Sequence, residues 1–435
     1  MRCSTFRMGA ALLCALALSG CARKPQGAEA QSNAEPGAPP VSVSVGAPPT
    51  EDECWEYGFA FEEATFEADP DTLSRMIDWQ AVVDEATRGI DAPADVKRNF
   101  TQSFIQASQK GQSGLVSTLV ETINQGGQCS PIHPISGKAR HGIRFRMLTA
   151  DGALNYLDFD LARRADGTIK AVDVFPYAVG ESIAQSTRHF YLSAVAEAQR
   201  SLLDRLTGKE QVLITHMPTL LQMNENLRTG QYEAVLNAYR GLPESLQRDR
   251  LFLVPRYTAA AEVDENEYEA ALADFRKYYP DDPSADLLMI DAHFLQKDFD
   301  AALASIDRLD RSIGGDAYLD VLRSSIHIER KDFDTAREAI SRAIDAEPSL
   351  IAAYWALLGL TLTQEDYDET ARMLDLIAET FGMEFTDLTQ VPEYAGFVAS
   401  PQYAEWIARQ PASSPGLEEG PTGPETSSPE DDPAS

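Results

Sequence analysis

Apolar positions along the chain fall into two rhythms. Counting from Phe333, they recur at +3 (Ala336), +7 (Ile340) and +10 (Ala343) and stop at Pro348, a spacing that lays one stripe along a helix and then ends it. The same offsets from Tyr268 give Ala271, Phe275, Tyr278 and Pro283. From Phe299 they give Ala302, Ile306 and Leu309 with Gly314 at the stop, and from Tyr367 they give Thr370, Leu374, Ile377 and Gly382. Glycine ends a helix as readily as proline does. Spacings between the four aromatics are 31, 34 and 34 residues, and the tetrapeptide Lys-Asp-Phe-Asp is written twice, from Lys297 and from Lys331. A degenerate copy around Gly230, Tyr232, Val235 and Tyr239 lies 36 residues before Tyr268. A stripe that returns at a fixed interval marks helix pairs that cannot bury their apolar flanks alone and pile side by side instead.

The second rhythm has a period of two. "GIRFRML", "ALNYLDFDLA" and "TIKAVDVF" alternate apolar and polar positions, and the joins contain Asp151-Gly152 and Asp166-Gly167, strong hairpin signals. A three-stranded antiparallel meander is expected, with Leu157, Phe159 and Leu161 on one face of its middle strand and Tyr156, Asp158 and Asp160 on the other. Helical patterns precede it around Tyr57–Phe66, Pro70–Arg88, Ala94–Lys110 and Gly114–Asn124. The fold class is therefore an α+β N-terminal domain followed by an all-α solenoid.

The repeating stripe resembles the tetratricopeptide repeat (TPR), whose second helix starts at Gly-x-Tyr-x-x-Ala, continues to an aromatic and an alanine and closes on proline. The resemblance covers about residues 218 to 382. It implies that Ala271, Ala302 and Ala336 let neighbouring helices approach closely, that Asp298 and Asp332 sit at the start of second helices, and that partners bind a concave face lined by first helices. Outward positions there would be Asp291, Val321, Ser325, Trp355 and Gly359; they lack the Lys/Asn set of carboxylate-clamping repeats. The family's first-helix Trp is matched only at Tyr354-Trp355, and Arg323 stands where an apolar residue is expected. Ser400-Pro401, followed by Tyr403, Trp406 and Ile407, looks like a capping helix that closes the array. The helices-then-sheet order of the N-terminal unit resembles the cone-shaped nuclear transport factor 2-like folds, including periplasmic lipid-carrying members of the MlaC kind.

Both ends change the picture. Arg2 and Arg7 precede an apolar run, Met8 to Leu18, too short to span a bilayer, which reads as a secretory signal. It ends in Leu18-Ser19-Gly20-Cys21, which resembles the bacterial lipobox and implies cleavage before Cys21 and acylation there. Ala22 follows, as in lipoproteins sent to the outer membrane. The expected organisation is a signal peptide (1–20), a Pro/Gly/Ala/Ser linker (21–52), the α+β domain (53–200), the TPR solenoid with its cap (201–410) and an acidic, proline-rich tail (411–435). A formal net charge of −31 argues against nucleic acid and anionic lipid surfaces as partners. Once Cys3 and Cys14 leave with the signal and Cys21 carries lipid, Cys54 and Cys129 remain, and an exported pair invites a disulfide worth about 4 kcal/mol in the chain-entropy account.

Catalytic signatures are missing from the sequence: it has no Gly-x-Ser-x-Gly elbow, no phosphate loop and no His-Glu-x-x-His. His293 and His327 occupy the same place in adjacent repeats, but no Cys or His-x3-His accompanies them as a metal set would require. His133 and His141 beside Cys129 could suggest a Cys/His pair, against which stands a plain loop before the first strand. The carboxylates, Asp158 and Asp160 included, read mostly as a solvated surface. The leading expectation is a non-enzymatic, lipid-anchored envelope scaffold, without cofactor or metal, that binds a protein or peptide through its helix pairs. The alternative is a carrier of a small apolar ligand in the N-terminal unit.

Overall fold

The structure, a computed structural model, describes residues 47–110, 114–137, 140–150, 152–198, 208–280, 282–385 and 387–410. The signal segment, Cys21, most of the linker, Asp151, most of Gly111–Gly114 and the tail lie outside the described residues, as does the junction expected near residue 200. Two compact units divide between Leu350 and Ile351.

The first unit begins with α1 (Glu51–Phe66), α2 (Pro70–Met76), α3 (Trp79–Thr87), α4 (Ala94–Gln109) and α5 (Leu115–Asn124). Thr50 caps α1 through a reciprocal capping box with Glu53, so the helix starts two residues before the expected domain boundary. The single helix expected over Pro70–Arg88 is two. Ile77 is extended and bridges Ala171, the Asp78 amide donates to the Ala171 carbonyl (2.8 Å), and the Asp78 carboxylate then caps α3.

The sheet has four strands, not three: β1 (Gln128–Ser136), β2 (His141–Leu148), β3 (Leu154–Arg163) and β4 (Ile169–Pro176), antiparallel in the order β1-β2-β3-β4. The unexpected strand is the segment that reads as a loop. Pro131 and Pro134 cannot donate to a ladder, which an edge strand tolerates, and a register shift between Pro131 and His133 breaks its alternation. Asp166-Gly167 does turn the last hairpin, with Gly167 at φ 87° and the Arg164 amide donating to the Thr168 carbonyl. One sheet face packs on α1, where the rings of Phe61, Phe145 and Phe159 lie 4.8–5.1 Å apart, centroid to centroid. All three are fully buried, and such ring pairs add about 0.5–1.5 kcal/mol each beyond area burial.

Helices follow: α6 (Ile183–Ala198), α7 (Gly208–Arg228), α8 (Tyr232–Arg240), α9 (Glu244–Gln247), α10 (Arg250–Val263), α11 (Glu265–Tyr278), α12 (Pro283–Leu295), α13 (Phe299–Ile313), α14 (Ala317–Glu329) and α15 (Phe333–Ala346). From α10 onward each packs against the next in sequence through α15. Ala271, Phe275, Ala302, Ile306, Leu309, Ala336, Ile340 and Ala343 are all buried, so the stripes face inward.

The doubled Lys-Asp-Phe-Asp is a helix-to-helix turn. Lys297 and Lys331 take left-handed φ values of 57° and 60°. The amides of Asp298 and Asp332 reach back to the carbonyls of His293 and His327, both at 2.9 Å, closing a Schellman turn. The same aspartates then cap α13 and α15, accepting from Ala301 and Thr335. One residue thus closes one helix and opens the next.

The second unit holds α16 (Ile351–Thr363), α17 (Tyr367–Phe381), two 3₁₀ turns, α18 (Ala395–Val398) and α19 (Pro401–Arg409). Its turn at Glu365-Asp366 repeats the pattern 34 residues after Lys331. Ser400 caps α19 as expected, and Trp406 is buried with its indole N–H on Asp375 (2.7 Å), but Ile407 faces solvent.

Candidate functional site

Of the five positions expected to line a partner-binding face, Asp291, Val321 and Ser325 belong to the first unit and Trp355 and Gly359 to the second. Asp291 is buried at 1% exposure on α12 and accepts from the Tyr268 hydroxyl (2.6 Å). Burial, and then the Asp291 charge, push the Tyr268 phenol well above its ordinary range. Val321 is buried in α14. These two are packing residues, Asp291 held by Tyr268 of the preceding helix and Val321 buried in α14. Ser325 stays half-exposed, its hydroxyl donating to the Val321 carbonyl. In the second unit Trp355 packs edge-on to Phe385 at 5.9 Å, and Gly359, half-exposed, accepts from the Thr363 hydroxyl. Arg323, the apparent misfit, is held by Asp307, Asp310 and Asp320 at 2.7–3.2 Å.

The sheet also reaches the helices. Its second face, which reads as polar and solvated, lies against the helices. Arg144 is buried, clamps Asp158 through Nε and Nη2 (2.6 and 2.7 Å), donates to the Tyr177 hydroxyl (2.8 Å) and reaches the Ile313 carbonyl at the end of α13. Asp158 is thus an interior anion, not a surface one. Arg146 sits at 3% side-chain exposure between Asp316 (2.6 Å; 1% exposed) and Glu347 (2.7 Å). The Tyr156 hydroxyl donates to the other Asp316 oxygen (2.7 Å), and the Tyr318 hydroxyl to the Gly152 carbonyl (3.0 Å). Burial, and then Asp316, push the Tyr156 phenol far up. For Arg146 burial opposes the charge, but Glu347 and Asp316 outweigh it and its pKa rises.

A second contact follows the same plan. Arg250 joins the Gly180 carbonyl, just past β4, to the Asp282 carboxylate, and the Tyr257 hydroxyl donates to the Ala178 carbonyl (2.9 Å). Asp282 and Asp316 are the N-caps of α12 and α14, 34 residues apart. The repeat therefore offers the same capping carboxylate in successive pairs: Arg146 of β2 takes Asp316, and Arg250 of α10 takes Asp282 while holding the Gly180 carbonyl of the α+β region. Residues through Leu350 form one compact unit.

Comparison with family models, with curated proteins and with solved structures found no match.

The remaining candidates have structural surroundings. Cys54 and Cys129, expected to pair, are free thiols in the same apolar core. Burial pushes both thiols up, and at Cys129 strongly, so the latter is no ready nucleophile. The register shift after Pro131 parts His133 from Cys129 and brings its ring beside Gly314, the left-handed C-cap of α13. His293 of α12 borders Arg276 of α11, and His327 borders Asp332 in the turn that follows it. No cluster of metal-ligating side chains occurs among the described residues. A cleft of about 560 Å³ opens between α2, α3 and the β3–β4 hairpin, with Trp79 and Ile105 beside Arg75, Asp78, Arg164 and Lys170. Arg164 is already paired there with Asp78 (2.7 Å). None of the buried-arginine contacts was legible beforehand. The one available signal was Arg144 and Arg146 alternating with apolar residues along one strand of the meander.

Proposed function

We propose that the chain is a non-enzymatic, lipid-anchored scaffold of the cell envelope whose helix pairs, read as a TPR array, bind a protein or peptide segment. The observation that carries this reading is the capped turn repeated at Lys297, Lys331 and Glu365, which sets helices side by side and spaces equivalent side chains at regular intervals instead of converging them on one reacting atom. Attachment through Cys21, with the linker to about residue 50 as tether, places it on the outer membrane facing the periplasm. No helix among the described residues is long and apolar enough to cross a membrane.

With Asp291 and Val321 assigned to packing, contact falls to Ser325 on α14 and, in the second unit, to Trp355 and Gly359 on α16. The apolar-carrier alternative ranks behind because aromatic rings fill the space between α1 and the sheet, and the cleft beside α3 sets six charged side chains among Ile77, Trp79 and Ile105. A photo-crosslinking amino acid at Trp355, used in intact cells that produce the protein, should yield one stoichiometric protein adduct, and the same probe at Glu338 should not. Failure to recover any adduct from Trp355 or Ser325 would refute the reading.

A further inference from the structure

Helix α1 presents a face that the rest of the α+β region leaves uncovered. Phe66 is 82% exposed and Phe59 57%, the two most exposed large apolar side chains of the described residues. They stand seven residues apart, two helical turns, and therefore share a side. Trp55, one turn before Phe59 and half-buried, stacks on it at 5.4 Å. Single exposed phenylalanines are ordinary, but an aligned aromatic row is the signature of a contact surface.

The charge around this row is one-sided. Glu51, Asp52, Glu56, Glu62 and Glu63 belong to the same helix, which has no basic residue. Among the described residues only Glu53 on α1 is in an ion pair, with Arg163. Uncompensated carboxylates beside bare rings repel anionic lipid headgroups and favour cations, which pair with the carboxylates and lie over the ring faces.

We propose that the Trp55-Phe59-Phe66 face of α1 is a docking surface for a cationic amphipathic helix of a partner protein, its Lys or Arg side chains on the carboxylates and its apolar side on the rings. One helix face offers a small interface, so affinity is on the order of micromolar and weakens with salt. The surface belongs to the α+β region and stands independently of what the helix pairs bind.

The test uses the mature chain with Cys21→Ala and 5-fluorotryptophan, in which Trp79 and Trp406 serve as internal controls, titrated with a short amphipathic Lys/Leu peptide. The Trp55 fluorine resonance should move saturably while those two stay, and Phe59→Ser with Phe66→Ser should weaken binding by about tenfold or more. An unmoved Trp55 resonance overturns the proposal. So does equal affinity in the double variant, which would mean mere adhesion to an acidic surface. So does a Trp55 response to phosphatidylethanolamine/phosphatidylglycerol vesicles without one to the peptide, which would assign the face to a membrane. A Trp55 shift on deletion of residues 22–46 with no peptide present would assign it to the chain's own leader and would equally overturn it.

Discussion

The two faces of the sheet are both buried, by opposite chemistry. Against α1 the contact is rings on rings, Phe61 with Phe145 and Phe159. Against the helices it is guanidinium and phenol on carboxylate and carbonyl: Arg146 on Asp316 and Glu347, Tyr156 on Asp316, and Arg144, itself clamped by Asp158 of the sheet, on the Ile313 carbonyl. Apolar packing is non-directional and supplies most of the energy of a domain. A buried ion pair gains little net energy, because desolvation offsets the attraction, but it is costly to break on one side only. The first face accordingly holds the α+β region together, and the second fixes where that region sits on the helices.

Substitutions can separate these roles. The largest loss is expected from Phe159→Ala, about 4 kcal/mol, seen as a lower urea midpoint for the whole first unit. Arg146→Ala should cost about 3 kcal/mol by stranding Asp316 in the interior. Adding Asp316→Asn, which keeps the α14 cap, should restore part of that loss, and a double-mutant cycle should give a coupling of about 1–3 kcal/mol. A coupling near zero would mean that the two do not act as a pair.

A smaller effect of opposite sign tests the turn that spaces the helices. Lys331 holds a left-handed φ of 60° that costs an L-residue about 1–2 kcal/mol. Lys331→Gly should raise stability by up to about 1 kcal/mol after the entropy glycine adds to the unfolded chain. Destabilisation would show that the lysine side chain matters more than its backbone.

The smallest effect is in acid. Arg163, and after it the Thr50 amide, hold Glu53 at about 2, below the ordinary 4.5. Its contribution is complete above about pH 4.5 and is lost as pH falls toward about 2. Glu53→Gln should lower stability by a constant amount above pH 5 and flatten the profile between about pH 4.5 and 2, where the two proteins converge. An unchanged acid slope would remove Glu53 from the account.

Legibility in the sequence followed the same division. Apolar stripes at Tyr268, Phe299, Phe333 and Tyr367 and the alternation of Leu157, Phe159 and Leu161 placed helices and strands well, because burial of one face leaves a periodic trace. Strand β1 left none: prolines and a register shift erase the period. The polar face of the sheet was misread for a different reason. A charged side chain buried against a partner 170 residues away looks in sequence like one facing water, since nothing local tells Arg146 from a surface arginine. Asp291 and Val321 failed as contact residues through the same blindness to what covers a helix.

The central claim, that the polar sheet face pins the α+β region to the helices, is tested most directly by native-state hydrogen exchange on the first unit. In the unaltered protein β2, β3 and α14 should open with one common free energy, and in Arg146→Ala the amides of α14 should open at lower cost than those of β2 and β3. Common opening in both proteins would contradict it.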